Sequence, residues 1–226
     1  LTGRAAAVRG VLDRIDAAFG RPPAPRRLPP LDELVLTVLS QNTNDTNRDR
    51  AWRSLRARFP GWDAVLGAAP AEVERAIRAG GLARTKSRTI LGVLRRIKDE
   101  RGALDLGFLR GMPVGEAKRY LTSFPGVGEK TACCVLLFAC GRPAFPVDTH
   151  IHRIAGRLGW VPPGADRAAS HAILGNVIPP DRRLPAHLNL IALGRSHCRP
   201  ARPACPACPI QTLCRFGRRR PARAAD

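Results

Sequence analysis

The chain has 226 residues, enough for one large domain or two small ones at roughly 100–200 residues each. Hydrophobic residues make up 44% and charged residues 25%, which excludes a chain disordered as a whole, and no apolar run is long enough for a membrane-crossing helix. Lys plus Arg number 38 against 18 for Asp plus Glu; the resulting +20 repels itself and calls for a polyanionic partner, while only 5% aromatics argue against single-strand binding by base stacking.

Taken in chain order, the pattern is helical. Val8, Leu12, Ile15 and Phe19 recur at helical spacing, and residues 20–30 break it. Residues 31–39 are apolar and end at Ser40; Asp45 or Thr46 is placed to cap a helix running to about Phe59. Pro70 opens the next helix, which carries Val73 and Ile77 and stops at Gly80-Gly81. Residues 86–98 are amphipathic, with Ile90, Val93, Leu94 and Ile97 on one face. Helices over 114–122, 130–140, 149–158, 167–177 and 184–193 complete the set. Strands of period two are missing from the pattern, so the expected fold is all-α. The stretch 215–226, with Arg218-Arg219-Arg220, reads as a frayed basic end, as readily solvated as in contact with DNA.

The seven cysteines are unevenly spread. Cys133, Cys134 and Cys140 fall in an apolar run and read as small core residues. Cys198, Cys205, Cys208 and Cys214 crowd one proline-rich segment, where closing a chelate loop is cheap. Four soft sulfur donors suit zinc or an iron–sulfur cluster. The odd total and the clustering argue against a secreted disulfide framework.

Two further segments carry chemistry. Phe124-Pro125-Gly126-Val127-Gly128 is a tight turn between two helices, and its glycines allow positive φ and close backbone approach. The second helix then starts near Glu129 with unpaired N–H groups, a natural phosphate site. Lys130 stands in its first turn, where the macrodipole and the surplus positive charge both lower an amine's pKa and raise its neutral, nucleophilic fraction. A plain phosphate-binding lysine is the competing reading at this point. Farther on, Pro146-Val147-Asp148-Thr149-His150 places Asp148 as the N-cap of an amphipathic helix, where a fixed carboxylate could also stabilise an oxocarbenium ion.

Together the hairpin, the Val147-Asp148-Thr149-His150 segment and the cysteine quartet resemble the endonuclease III family of helix–hairpin–helix DNA glycosylases, over residues 30–214. The resemblance implies a two-lobed fold: a six-helix barrel domain over 29–141, and a cluster domain built from 1–28 and 142–226. It implies a [4Fe-4S] cluster on the four cysteines and double-stranded DNA, damaged or abasic, bound where the hairpin residues Gly126, Val127 and Gly128 meet phosphates. Lys130 matches the family's nucleophile and Asp148 its aspartate; the damaged base is flipped out, Lys130 attacks C1′, and β-elimination nicks the strand. Gly81-Leu82 matches the wedge segment, making Leu82 the candidate for insertion into the stack, with Arg84 and Lys86 beside it. Gln41 and Asn42 fall in the second intercalating loop, His150 beside the aspartate, and Arg199 and Arg202 on the chelate loop that grips the backbone. The chain departs from the pattern at Asn42, where Gln is usual, and at Ala83, where an aromatic is common.

The resemblance implies a bifunctional glycosylase/lyase acting on oxidised pyrimidines in base excision repair. Adenine or mismatch glycosylases replace the lysine, and adenine glycosylases add a catalytic Glu; Glu33, the nearby candidate, lies off that position. A non-catalytic damage-scanning protein and a zinc-stabilised module are the remaining alternatives. A monomer without membrane attachment is expected, cytoplasmic and nucleoid-associated if bacterial; residue 1 is Leu, which leaves room for an upstream targeting segment.

Overall fold

The computed structural model describes residues 2–23 and 26–219. Among these residues there is no strand, and the chain divides into two compact units, Leu1–Arg26 with Pro143–Asp226, and Arg27–Arg142.

The Arg27–Arg142 unit is organised around α2 (Pro30–Ser40). Pro30 starts it at the position where a missing N–H costs nothing. Leu31, Leu34, Val35, Val38 and Leu39 are buried on nearly every side, as befits a central helix. Against it pack α3 (Asp45–Arg58), α6 (Ala83–Arg101), α8 (Glu129–Cys134) and the π-turn Val135–Ala139. Shorter helices α4 (Trp62–Gly67) and α5 (Pro70–Ala76) lean on α6 through its buried face of Ile90, Val93, Leu94 and Ile97. The helix α7 (Val114–Thr122) pairs with α8 across a short turn.

Three local expectations change. The cap of α3 is Asn44, whose side chain accepts from the Asn47 N–H; Asp45 already lies inside the helix and pairs with Arg48. The helix expected over 130–140 is α-helical only to Cys134. It then loosens into the π-turn, where the Cys140 N–H reaches back to Val135 O at 3.1 Å. The helix α4 escaped the sequence reading because six residues are too few to show a period.

The other unit combines α1 (Thr2–Phe19) with α9 (Thr149–Leu158), α10 (Arg167–Val177) and α11 (Arg183–Ser196). Val8, Leu12 and Ile15 of α1 share a core with Ile151, Ile154, Leu174, Leu190 and Leu193. A polar clasp reinforces this long-range join. Arg182 donates to Asp13 at 2.6 Å and to Asp16 at 3.0 Å, while Asn189 donates to Asp16 and to Gly20 O. Cys133, Cys134 and Cys140 are buried in the first unit, as their apolar setting suggested. Residues 215–219 are held rather than frayed: Phe216 N–H donates to Arg157 O and its ring lies under the Arg157 guanidinium. Residues 220–226, including Arg220, lie outside the described residues.

Asp16 serves two donors at once, so Asp16→Ala leaves both Arg182 and Asn189 short of an acceptor. The expected cost is about 1–3 kcal/mol, read as a lower urea midpoint at unchanged m-value.

Candidate functional site

The turn joining α7 to α8 is a hydrogen-bonded hairpin in which Phe124 N–H donates to Leu121 O, and Val127 N–H to Phe124 O at 3.0 Å. Phe124 and Val127 fill the core, and Pro125, Gly126 and Gly128 face solvent. Gly126 has φ +83°, and a Cβ there would stand 2.5 Å from Thr89 Oγ1, so both its conformation and its neighbour demand glycine. Gly128 is extended, at φ −86°, and needs no such freedom. Val127, expected at the phosphates, is excluded from direct contact: its side chain is buried and its N–H is spent inside the turn.

Lys130 is the second residue of α8 and is half-buried. Only four of the 38 basic residues are lysines. Lys86 donates to two backbone carbonyls, Lys98 to Asp63 and Lys118 to Glu129. Among the described residues, Lys130 alone of the four has no hydrogen-bond partner for its amine. Arginine cannot replace a lysine as nucleophile, because its guanidinium stays protonated. This scarcity of lysine is a signal that the sequence carries and the motif reading did not use.

Glu33 lies on α2, which packs against α8, and Lys130 acts on it electrostatically. Burial pushes its carboxyl up to about 7, against the opposing pull of the Thr37 hydroxyl, which donates at 3.2 Å, and of Lys130 and Arg48. One turn apart along the same side of α2 stand Glu33, Thr37 and Gln41. Gln41 Nε2 donates to Gly126 O at 3.2 Å and to Thr131 Oγ1 at 3.4 Å. Its amide thus braces the hairpin instead of reaching outward; in the expected pair Gln41–Asn42, it is Asn42 that is exposed.

Among the described residues, three that are not glycine have positive φ: Asn42 at +50°, Leu82 at +48° and Arg202 at +50°. All three lie in loops singled out for DNA contact. Leu82 is 56% exposed, so it is no buried helix-end contact. A left-handed leucine costs on the order of 1–2 kcal/mol, and exposing its side chain recovers none of that in the isolated protein. Arg84 is exposed in the first turn of α6, two residues on.

Lys86 corrects the sequence reading. It is 2% exposed and cannot reach a phosphate. Its ammonium donates to Leu39 O at 2.7 Å and Gly80 O at 2.8 Å, and burial holds its pKa below the usual lysine range. It therefore ties the end of α2 to the turn that presents Leu82.

In the other unit Asp148 caps α9, accepting from the Ile151 N–H at 2.8 Å. His150 is half-buried and pressed against Gly194 of α11, where any Cβ would meet its ring at 2.6 Å. Arg153 donates to His150 Nδ1, Gly194 O and Cys198 O; Arg157 donates to Cys198 Sγ at 3.1 Å, Arg199 O and Pro200 O. Sequence reasoning missed these two arginines, although their spacing of four residues on an amphipathic helix marks one face. Arg199 and Arg202 remain exposed on the loop they hold.

The family model described as HhH-GPD superfamily base excision DNA repair protein matches residues 35–180, from α2 through the hairpin and the Asp148 cap to the end of α10. The chain belongs to this family. A protein of Arabidopsis thaliana named as a candidate DNA glycosylase is 46% identical over 171 residues, 75% of this chain and 58% of the relative. The chain thus spans under two thirds of that relative's length. Endonuclease III of Thermotoga maritima is 32% identical over 191 residues, 84% of this chain and 85% of the relative. A solved structure of a trapped endonuclease III–DNA covalent intermediate superposes with a TM-score of 0.79 at 29% identity, covering 96% of this chain and 98% of its own.

For this HhH-GPD protein the four clustered cysteines are the remaining candidate centre. Cys198, Cys205, Cys208 and Cys214 all line one cavity, together with apolar Ile154, Leu158, Leu193 and Ile210. Burial first, then the other three thiols, push the Cys208 thiol up. Four sulfur donors lining one apolar cavity are a donor set that fits a soft metal centre. Among the described residues, no three His, Cys, Asp or Glu side chains converge as they would around a single ion.

Replacing the buried ammonium by a methyl thioether in Lys86→Met strands two carbonyls. The expected loss is about 2–4 kcal/mol of stability, measured by urea unfolding. A lysine acting only as a phosphate contact would instead show unchanged stability and weakened DNA binding.

Proposed function

We propose that this HhH-GPD protein is a bifunctional DNA glycosylase and abasic-site lyase that removes oxidised pyrimidines from double-stranded DNA. The observation that carries this reading is Lys130: the one lysine amine without a hydrogen-bond partner among the described residues stands directly after the hairpin. A neutral amine there attacks C1′ of a flipped nucleotide, the base departs, and the resulting Schiff base allows β-elimination. Flipping costs about a few kcal/mol, least for damaged bases. The exposed, left-handed Leu82 offers a wedge for the vacated stack, and the exposed amide of Asn42 a group for the orphaned base.

Asp148 has a fixed carboxylate suited to an oxocarbenium ion, and its cap bond keeps one oxygen oriented. The N–H groups that begin α8, with Arg84, Arg199 and Arg202, supply phosphate contacts. A covalent DNA intermediate captured for a structural neighbour at 29% identity supports the amine chemistry.

Cys198, Cys205, Cys208 and Cys214 would hold a [4Fe-4S] cluster. Four thiols lining one apolar cavity supply the all-sulfur donor set that such a cluster takes. When bound, it neutralises the thiolates and stiffens the loop bearing Arg199 and Arg202. A brown protein absorbing near ~400 nm is expected; a colourless zinc protein would overturn the cluster assignment.

Borohydride trapping on a duplex with one abasic site tests the chemistry. The parent chain gives a covalent band; Lys130→Ala gives none while still binding DNA. A band undiminished in that variant removes the Schiff-base role. Binding should weaken steeply with salt, and Arg199→Ala or Arg202→Ala should each reduce the slope of log affinity against log salt by about 1. A flat dependence would contradict a phosphate-gripping surface.

A further inference from the structure

The polar side of α2 is out of keeping with the rest of that helix. Its other faces are leucine and valine in the core, yet Glu33, Thr37 and Gln41 line up at intervals of four residues. Two of the three are already accounted for. Gln41 braces the hairpin at Gly126 and Thr131, and Thr37 donates its hydroxyl to Glu33 Oε1. Glu33 closes the row. It makes no ion pair of 4 Å or less among the described residues. The first turn of α2 favours a carboxylate, but it does not supply a bonded cation for one held beside α8.

The charged groups that act on it are few. From α8 comes Lys130; from α3 comes Arg48, itself engaged by Asp45 and Asp49; from its own helix comes only the Thr37 hydroxyl. Of the two cations that act on it, the one without a bonded acid is the nucleophile assigned above, and the brace through Gln41 fixes α2 against the turn that precedes that lysine.

We propose that Glu33 is the proton acceptor that converts the Lys130 ammonium to the nucleophilic amine. This inference rests on the lyase reading. An N–H bond of the ammonium breaks and an O–H bond forms on Glu33. The freed lone pair makes the N–C1′ bond, and the electrons of the bond to the departing base, or to the hydroxyl at an abasic site, leave with that group. Glu33 and Lys130 share no direct hydrogen bond, so the proposed transfer runs through a bridging water. A carboxyl poised near 7 can take such a proton and give it up again at physiological pH, which one at the ordinary glutamate value does far less readily.

The test is the single-turnover trapping rate on abasic duplex as a function of pH. Glu33 accepts a proton only when ionised, so the parent rate rises through about pH 7 to a plateau. Glu33→Gln keeps the shape and can still accept from Thr37. The limb near neutrality should vanish, with a rate at pH 7.5 about tenfold to hundredfold lower and DNA affinity and melting temperature unchanged. Arg48→Gln removes a cation that favours ionised Glu33, so its limb should move to higher pH by about 0.5–1 with the plateau retained. That second variant reads the same carboxyl if Glu33→Gln folds poorly. Profiles of both variants superimposable on the parent overturn the inference and leave the lyase reading standing. A parent chain that gives no trapped band overturns the lyase reading, and this inference with it.

Discussion

One buried ammonium holds the working edge of the Arg27–Arg142 unit together. Lys86 projects from the apolar face of α6 into a core that offers it no carboxylate, and it settles on the carbonyls of Leu39 and Gly80. Both carbonyls belong to helix ends, one at the last turn of α2 and one in the 3-10 turn Arg78–Gly80. Neither can find a partner within its own helix, so the lysine answers two deficits at once. The loops that follow, carrying Asn42 and Leu82, both leave from that point with left-handed residues. Strained, exposed residues persist only where their surroundings fix the chain on either side, and Lys86 is what fixes it here.

In the second unit α9 plays the comparable part. Its N-terminus is closed by Asp148, and Arg153 and Arg157 along it hold the backbone and sulfur of the Cys198 loop. A single helix of ten residues thus orients the aspartate at one end and the cysteine loop at the other. Gly194 lets α11 approach closely enough to wedge His150 in place. The loop bearing Arg199 and Arg202 and the Asp148 cap are thus tied to one and the same helix.

The helices were legible because most bury one apolar stripe. The spacings of Val8-Leu12-Ile15 and Ile90-Val93-Leu94-Ile97 are those of a 3.6-residue period, and each of these residues is buried. The hairpin and the Asp148 cap were legible because glycine φ and N-cap acceptors are local properties. Lys86 was misread because a basic residue in a chain of +20 suggests a phosphate contact. Its position was informative nonetheless: residues 86, 90, 93, 94 and 97 share one face, so the lysine points into the core. Gln41 and Glu33 were harder, since what they touch comes from residues some ninety positions away. The π-turn after Cys134 has no sequence signature among residues that all favour ordinary helix or core.

The distribution of basic residues itself constrains the chemistry. Phosphate binding asks for charge and geometry, which arginine supplies with a planar fork that never deprotonates. Schiff-base chemistry asks for an amine that loses its proton, which arginine cannot provide. A chain that made its positive surface from lysine would surround an electrophilic C1′ with many competing amines. This one draws nearly all its charge from arginine, buries one lysine beneath two loops, and pairs two others with acids. Among the described residues the one lysine amine without a hydrogen-bond partner is Lys130, so under the proposed chemistry the site of covalent attack is a matter of composition as much as of fold.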